Sequence, residues 1–126
     1  MKAIPIGTSD ELTIATTPEM GVQHLPLPMY STPAMVGHFE GLCLRMLIPF
    51  QDPGESSVGY RVDVRHMAPT PIGMKVTVKG RVKEVDGRKV LFEVEAYNET
   101  GAKIGEGHHE RRIIDLTRFA GAGRSA

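Results

Sequence analysis

Three polar side chains of complementary chemistry stand at positions where the sequence pattern points into the molecule. Thr32 lies at the start of a predicted helix, Glu40 lies on or beside the apolar face of that helix, and His66 ends an apolar row on a predicted strand. A hydroxyl, a carboxylate and an imidazole are the groups that general-base or nucleophilic catalysis at a carbonyl requires. Each also has a structural interpretation, since a threonine can simply cap a helix and a histidine can simply be hydrogen-bonded.

The helix that carries Glu40 is predicted to begin at Thr32 and to end before Pro49. Thr32 is the expected N-cap, and Pro33 suits the first helical position, where its missing N–H is not needed. Pro49 ends the helix because proline disfavours helical geometry in the residue before it. Apolar residues recur at the spacing of one helix face. They are Met35, Val36, Phe39, Leu42, Cys43, Met46 and Leu47. Burying a lone carboxylate on that side is unfavourable, so Glu40 should have a polar partner or reach solvent at the flank.

Alternation of apolar and polar residues predicts four long strands in an antiparallel meander after the helix. Asp86-Gly87, between two alternating segments, is typical of a type I′ hairpin turn. The residues predicted to face the helix from the first long strand are Val58, Tyr60, Val62, Val64 and His66. The long strands are predicted at Val58–His66, Lys75–Val85, Val90–Ala96 and Ala102–Ile114, with a short one at Glu11–Ala15. One helix against one curved sheet is an α+β architecture, and we expect dimerisation to cover an exposed sheet edge.

Length and composition exclude several classes of function. The chain of 126 residues is predicted to be a single domain over residues 1–126, with a flexible tail from about 118 to 126. Fifteen basic and fifteen acidic residues balance, so no net charge favours nucleic acid or an anionic membrane as a partner. The single Cys43 excludes an intrachain disulfide. Because neither a secretion signal nor a membrane-spanning segment is visible, we expect a cytoplasmic protein.

The remaining histidines do not form a predicted metal site. His108 and His109 are adjacent on a strand, so their side chains should diverge. His38 lies two positions from Glu40 on the helix and is predicted to face solvent. With one cysteine and no close spacing of His, Asp and Glu, we predict no metal ion and no cofactor.

Several segments together resemble one family of enzymes. They are Thr32-Pro33-Ala34-Met35, Glu40, Glu55–Gly59, Val62–Gly73, Val85–Arg88 and Gly107–Arg111. In order and spacing these segments resemble the hot-dog-fold thioesterases related to fluoroacetyl-CoA thioesterase. The similarity covers nearly the whole chain, and the spacing among Thr32, Glu40, Gly59 and His66 is its most specific part.

This resemblance implies a fold, an assembly and an activity. Hot-dog proteins wrap an antiparallel sheet around one long helix and form dimers with two active sites at the subunit interface. A homodimer, or a tetramer of two dimers, is therefore expected. The family hydrolyses acyl-CoA thioesters to free acid and CoA, and CoA enters as part of the substrate. By the resemblance Thr32 supplies the hydroxyl, Glu40 the carboxylate and His66 the base. The backbone of Gly59 approaches the thioester carbonyl, where a side chain would obstruct it.

One segment departs from the family pattern and leaves the substrate open. Members selective for fluoroacetyl-CoA close the pocket with aromatic residues ahead of the threonine, whereas residues 21–29 here contain no Phe, Tyr or Trp. We therefore expect a small or medium acyl group other than fluoroacetyl. Water, Thr32 and Glu40 all remain possible nucleophiles.

Three alternative functions remain open because one fold hosts many functions. The first is a hot-dog enoyl-CoA hydratase or dehydratase. The second is a dimer that binds an acyl-CoA or another small ligand without reaction. The third is a structural dimer in which Glu40 and His66 form a buried pair.

Overall fold

A computed structural model describes residues 1–118 of the protein. Apart from residue 118, the predicted tail lies outside the described residues. The main elements are β1 (Ser9–Ala15), α1 (Thr32–Leu47), β2 (Glu55–His66), β3 (Lys75–Asp86), β4 (Lys89–Asn98) and β5 (Lys103–Asp115). Short 3₁₀ turns lie at Pro18–Met20 and Ile48–Phe50. The predicted long helix, the four long strands and the short first strand are therefore confirmed, with small differences at their ends.

The five strands form one antiparallel sheet in the order β1-β3-β4-β5-β2. The predicted meander of the four long strands is wrong at β2, which pairs with β5 at the sheet edge rather than with β3. The predicted hairpin joins β3 to β4, but its turn residues are Gly87 and Arg88, because Asp86 pairs with Lys89. The predicted type I′ turn is wrong, because that type needs a positive φ at both residues and only Gly87, at 59°, has one. In the chain, α1 connects β1 to β2, which are the two opposite edges of the sheet. The helix must therefore cross the sheet, and it contacts all five strands.

The hydrophobic core lies between α1 and the sheet. The helix residues buried there are Met35, Phe39, Leu42, Cys43, Met46 and Leu47. The sheet residues buried opposite them include Val76, Val78, Val82, Val90, Phe92, Val94, Ala96 and Ile104. Removal of this apolar surface from water is the main force that holds the helix on the sheet. The predicted α+β architecture and the predicted apolar face of the helix are confirmed, with Val36 half-buried at its margin.

A β-bulge interrupts the pairing of β2 with β5. Gly59 lies opposite Arg111, and Arg61 lies opposite Glu110, so Tyr60 is an extra residue without a partner on β5. Successive side chains of a regular strand alternate between the two faces of the sheet. An extra residue shifts this alternation by one position for the rest of the strand.

The bulge places Gly59 and His66 on the same face of the sheet, although an odd number of positions separates them. Gly59 faces the Glu40 carboxylate of α1, and His66 faces Thr32 at the start of the same helix. The predicted helix-facing row of β2 is wrong at Tyr60, because the side chain of this bulged residue is 66% exposed. It is also wrong at Val58, which precedes the bulge and therefore lies on the face opposite to that of Gly59. The bulge is therefore the backbone feature that brings two separate parts of β2 to the same helix.

Candidate active site

The hydroxyl of Thr32 is available for chemistry because a different residue caps the helix. Ser31 has an extended backbone, and its Oγ accepts a hydrogen bond of 3.1 Å from the N–H of Ala34. The prediction that Thr32 is the N-cap is therefore wrong, since Thr32 is the first residue of α1. Because Ser31 satisfies a helix N–H, Thr32 Oγ1 can form a hydrogen bond of 2.8 Å with His66 Nδ1.

The imidazole of His66 is half-buried, and one of its nitrogens is engaged with Thr32. Burial lowers its pKa from the ordinary value of 6.5, because the charged imidazolium is less well solvated there. The neutral form that can accept a proton is therefore favoured near neutral pH. The other nitrogen, Nε2, is buried and has no hydrogen-bond partner among residues 1–118.

The carboxylate of Glu40 lies beside Gly59 rather than against His66. A Cβ atom built on Gly59 would lie 2.8 Å from Glu40 Oε2. His66, in contrast, hydrogen-bonds to Thr32. The structure thus places Thr32 with His66 and Glu40 with Gly59. The alternative in which Glu40 and His66 are a mutually satisfied buried pair is not supported by this arrangement.

A buried arginine and a buried histidine also line the Gly59 side of the site, and neither is predicted as a site residue from the sequence. Arg111 Nε donates to Ser57 Oγ at 2.9 Å, and Arg111 Nη2 donates to the Ser57 carbonyl at 3.0 Å. Arg111 Nη1 lies 3.2 Å from His109 Nε2 and would lie 3.6 Å from a Cβ on Gly59.

The tautomer of His109 follows from its neighbours. Its Nδ1 lies 2.8 Å from the carbonyl of Arg61, so Nδ1 carries the hydrogen and donates it. Nε2 is then free to accept from Arg111. Burial, together with the positive charge of Arg111, lowers the pKa of His109, which favours this neutral form. The chain therefore holds a buried guanidinium charge in a fixed orientation near Glu40.

A tyrosine next to the helix start contacts two histidines. Tyr30 is 2% exposed, and its hydroxyl lies 2.5 Å from His38 Nδ1. The ring of Tyr30 also meets the ring of His66 edge-on, with centroids 6.2 Å apart and planes at 75°. The prediction that His38 faces solvent is wrong, because His38 is half-buried against Tyr30.

An open cleft of about 330 Å³ adjoins Thr32 and His66. The apolar residues that line it are Val22, Leu25, Met29, Met67, Ala68 and Pro69. Three of them belong to the proline-rich segment ahead of the helix and three to the segment after β2. The hydroxyl and imidazole thus stand beside a mainly aliphatic surface, where a carbonyl compound with an apolar group can bind.

Residues 1–118 contain neither a metal-binding cluster nor a membrane-spanning helix. No group of three or more His, Cys, Asp or Glu side chains in this range is arranged to hold a metal ion. None of the helices in the same range has the length and apolar character needed to cross a membrane.

The amino-acid sequence of the chain matches a known protein family. Residues 10–117 match the family described as fluoroacetyl-CoA-specific thioesterase. The chain belongs to this family. A fluoroacetyl-CoA thioesterase from Streptantibioticus cattleyicolor is 40% identical over 91 residues, which are 72% of this chain and 65% of that relative. The match therefore spans slightly less than two thirds of the relative's length.

Solved structures agree with membership of the fluoroacetyl-CoA-specific thioesterase family. A fluoroacetyl-CoA thioesterase structure is 32% identical, with a TM-score of 0.90 and coverage of 98% of both chains. A hypothetical protein of the thioesterase superfamily from Thermus thermophilus is 35% identical, with a TM-score of 0.92 and coverage of 99% of this chain and 94% of that one. These are hot-dog proteins, so the hot-dog fold predicted from the resemblance is confirmed.

Proposed function

We propose that this protein hydrolyses an acyl-CoA thioester to a free acid and CoA. The observation that carries the proposal is the hydrogen bond of 2.8 Å between Thr32 Oγ1 and His66 Nδ1 beside an apolar cleft. A hydroxyl in hydrogen-bond contact with a neutral imidazole is the arrangement of an activated nucleophile and its base. Membership of a thioesterase family supports the same reaction class.

In the first step of the proposed reaction, Thr32 Oγ1 attacks the thioester carbonyl carbon while His66 takes the hydroxyl proton. The electron pair of the carbonyl moves onto its oxygen as the new carbon–oxygen bond forms. When the tetrahedral intermediate collapses, the carbon–sulfur bond breaks, and the proton on His66 passes to the departing CoA sulfur. The N-terminus of α1, where Thr32 lies, favours the negative charge that develops there.

In the second step, water releases the acyl group from Thr32. His66 takes a proton from the attacking water and returns a proton to Thr32 Oγ1 as the ester bond breaks. We assign Glu40 the role of orienting this water from the Gly59 side. The absence of a side chain at Gly59 leaves the space next to Glu40 Oε2 open for the carbonyl or the water. The attraction of Glu40 favours the buried charge of Arg111 beside that space.

We propose a small or medium aliphatic acyl group as the substrate. Besides His24, Tyr30 and Ser31, the cleft surface beside Thr32 and His66 is formed by aliphatic and thioether side chains, which adapt to alkyl chains of different shape. The segment ahead of the helix places Val22, Leu25 and Met29 in the position from which a lid would cover such a group. Since this segment has no Phe, Tyr or Trp from 21 to 29, it lacks a rigid aromatic surface with which to select fluoroacetyl.

The test of the proposed activity is thiol release from a panel of CoA esters. The panel consists of acetyl, fluoroacetyl, propionyl, butyryl, hexanoyl, phenylacetyl and palmitoyl-CoA. We expect turnover with the highest kcat/KM among the propionyl, butyryl and hexanoyl esters, because these fill an aliphatic cleft better than acetyl does.

Two other outcomes would contradict the proposal. If no ester releases thiol while CoA esters still bind, the protein is a binding module. If crotonyl-CoA loses its enoyl absorbance without thiol release, it is a hydratase. A strong preference for fluoroacetyl-CoA over all other esters would overturn the substrate assignment alone.

We also propose that the protein is a homodimer joined along β2. This strand is an edge of the sheet, and its exposed residues include Tyr60 and Val62. An unpaired edge with apolar side chains favours pairing with another strand. Both edges carry charged side chains, Arg61, Asp63 and Arg65 on β2 and Asp10 and Glu11 on β1, but β1 has only 7 residues against 12 in β2, so it offers fewer backbone groups for pairing. Because His66 ends β2, pairing there would place the proposed site at the subunit interface.

Sedimentation velocity tests the dimer with matched substitutions at the two edges. We expect the wild-type protein and Glu11→Lys to sediment as dimers, and Val62→Lys to shift toward the monomer because a charge on the joining strand is unfavourable to bury. A monomeric wild-type protein, or equal dimerisation of all three, would contradict the proposed interface.

A further inference from the structure

Tyr30 forms a physical link between His66 and His38. Its ring lies edge-on to His66, with centroids 6.2 Å apart, and its hydroxyl lies 2.5 Å from His38 Nδ1. The rings of Tyr30 and His38 are nearly parallel, at 6°, with centroids 5.8 Å apart. Neither Tyr30 nor His38 takes part in the proposed reaction steps, so the contact of Tyr30 with the base and its hydrogen bond to His38 call for an explanation.

The imidazole of His66 has too few polar contacts to fix its orientation by itself. Its one hydrogen bond within residues 1–118 is to Thr32, and its buried Nε2 has no partner there. A ring held at a single atom can still tilt about that atom. The edge-on contact with Tyr30 supplies a second restraint, because aromatic rings prefer this geometry to most others.

Tyr30 can act as a restraint because it is itself held firmly. Its side chain is 2% exposed, and its backbone N–H donates to the Thr70 carbonyl at 2.7 Å. At the far end of the ring, the hydroxyl is fixed by His38, which projects from α1, the same helix that begins at Thr32. Through Tyr30, the helix that supplies the hydroxyl thus also sets the position of the base.

We propose that Tyr30, anchored by His38, is a positioning residue that holds the imidazole of His66 in line with Thr32. This inference rests on the proposed thioesterase function for its kinetic consequences. The position of the imidazole, however, can be measured without any substrate. The hydroxyl of Tyr30 and His38 act as one unit in this proposal, so removal of either partner should have the same effect.

The kinetic test compares variants that remove the ring, the hydroxyl or the anchor. Tyr30→Leu removes the ring, which also lines the cleft, and should lower kcat about tenfold. The effects of Tyr30→Phe and His38→Leu, which keep the ring, should appear in kcat with little change in KM. Tyr30→Phe and His38→Leu each remove the anchoring hydrogen bond and should lower kcat about threefold, and the double variant should be no slower than either one. His38→Gln keeps an acceptor for the tyrosine hydroxyl and should restore kcat to nearly the wild-type value.

A matched control separates positioning from a general loss of stability. Tyr97→Phe removes the hydroxyl that donates to Glu95, far from the cleft residues, and should leave kcat unchanged. The melting temperature of every variant is measured, and kinetics are recorded well below it. If kcat of Tyr30→Phe and His38→Leu equals that of the wild type at these temperatures, the two residues serve stability alone and the proposal is overturned.

Nuclear magnetic resonance supplies the readout that does not depend on activity. Long-range proton–nitrogen spectra of labelled protein report which nitrogen of His66 carries the proton. In the wild-type protein we expect one tautomer, and in Tyr30→Leu a shift toward a mixture of both. If the wild type hydrolyses no ester, the proposed function fails, and this spectrum still decides the inference. An unchanged His66 spectrum in Tyr30→Leu would overturn it.

Discussion

Replacement of His66 by alanine should lower kcat/KM for the preferred acyl-CoA ester by about 10³-fold, mainly through kcat. The loss is large because no other side chain among residues 1–118 hydrogen-bonds to the Thr32 hydroxyl. Without the imidazole, Thr32 has no group to take its proton during attack. Binding of the CoA ester should change little, since most of its contact surface lies outside the imidazole. Thiol release over a range of substrate concentrations separates the two effects.

The pH dependence of the same variant gives an independent check. Wild-type kcat/KM should fall only at a pH below 6.5, because burial lowers the pKa of His66 and the base must be neutral. The residual activity of His66→Ala should lack this acidic limb. His108→Ala is the matched control, because His108 Nε2 lies 3.4 Å from Lys83 Nζ, away from the cleft residues, and it should retain full activity. Equal rates for both variants would refute the assignment of His66.

Replacement of Gly59 by alanine should lower kcat/KM by about a hundredfold while the protein stays folded. The added Cβ would lie 2.8 Å from Glu40 Oε2 and 3.4 Å from His109 Cε1. Glu40 can move aside because its carboxylate is the end of a flexible side chain, so the free energy of unfolding should change little. The methyl group and the displaced carboxylate would nevertheless fill the space assigned to the carbonyl and the water.

Gly37→Ala is the control for this substitution. Gly37 lies on α1, and a Cβ there meets no atom within 4 Å. Alanine is the better helix former, so this variant should be more stable by about 0.5–1 kcal/mol with unchanged kcat/KM. Activity and the midpoint of urea unfolding are measured for both proteins. A fully active Gly59→Ala, or one whose loss of activity follows unfolding, would contradict the proposed role of this space.

The fold was accessible from the sequence because its signals are local and strong. The helix repeats its apolar residues at helical spacing between two prolines, and β3 alternates with few faults from Lys75 to Val85. Gly87 marks the turn of the central hairpin, although the turn residues are Gly87 and Arg88 rather than Asp86 and Gly87. These features need no knowledge of distant contacts. The order of strands in the sheet and the crossing of α1 between its two edges depend on such contacts, so the meander predicted from the sequence wrongly places β2 beside β3 instead of β5.

At the bulge of Tyr60, the alternation of apolar and polar residues wrongly predicts which face of the sheet a side chain occupies. The pattern from Val58 to His66 is regular in sequence, so it predicts one continuous face. The pairing of β2 with β5 inserts one extra residue, and this is decided by the partner strand rather than by the residues of β2. The shared face of Gly59 and His66 was implied only by the family resemblance.

Part of the candidate site was predictable from local sequence signals. Thr32 and His66 are predicted site residues from their positions in the pattern, and their side chains do form a hydrogen bond. The N-cap prediction, however, names Thr32, whereas the adjacent Ser31 caps the helix. Ser31 and Thr32 are both good N-caps, and only the backbone conformation distinguishes them. His109 and Arg111 were missed because a basic residue on a strand usually faces solvent. Their alternate positions with the buried Ile113 on β5 were the available signal.

The most direct test of the central claim, that Thr32 and His66 act as one hydrolytic unit, is a double-mutant cycle. Thiol release from the preferred acyl-CoA ester is measured for the wild type, Thr32→Ala, His66→Ala and the double variant. Thr32→Ser, which keeps the hydroxyl, serves as the conservative control. If the two residues form one unit, the double variant should be no slower than the slower single variant. Losses that multiply in the double variant, or a Thr32→Ala protein as active as the wild type, would contradict the claim.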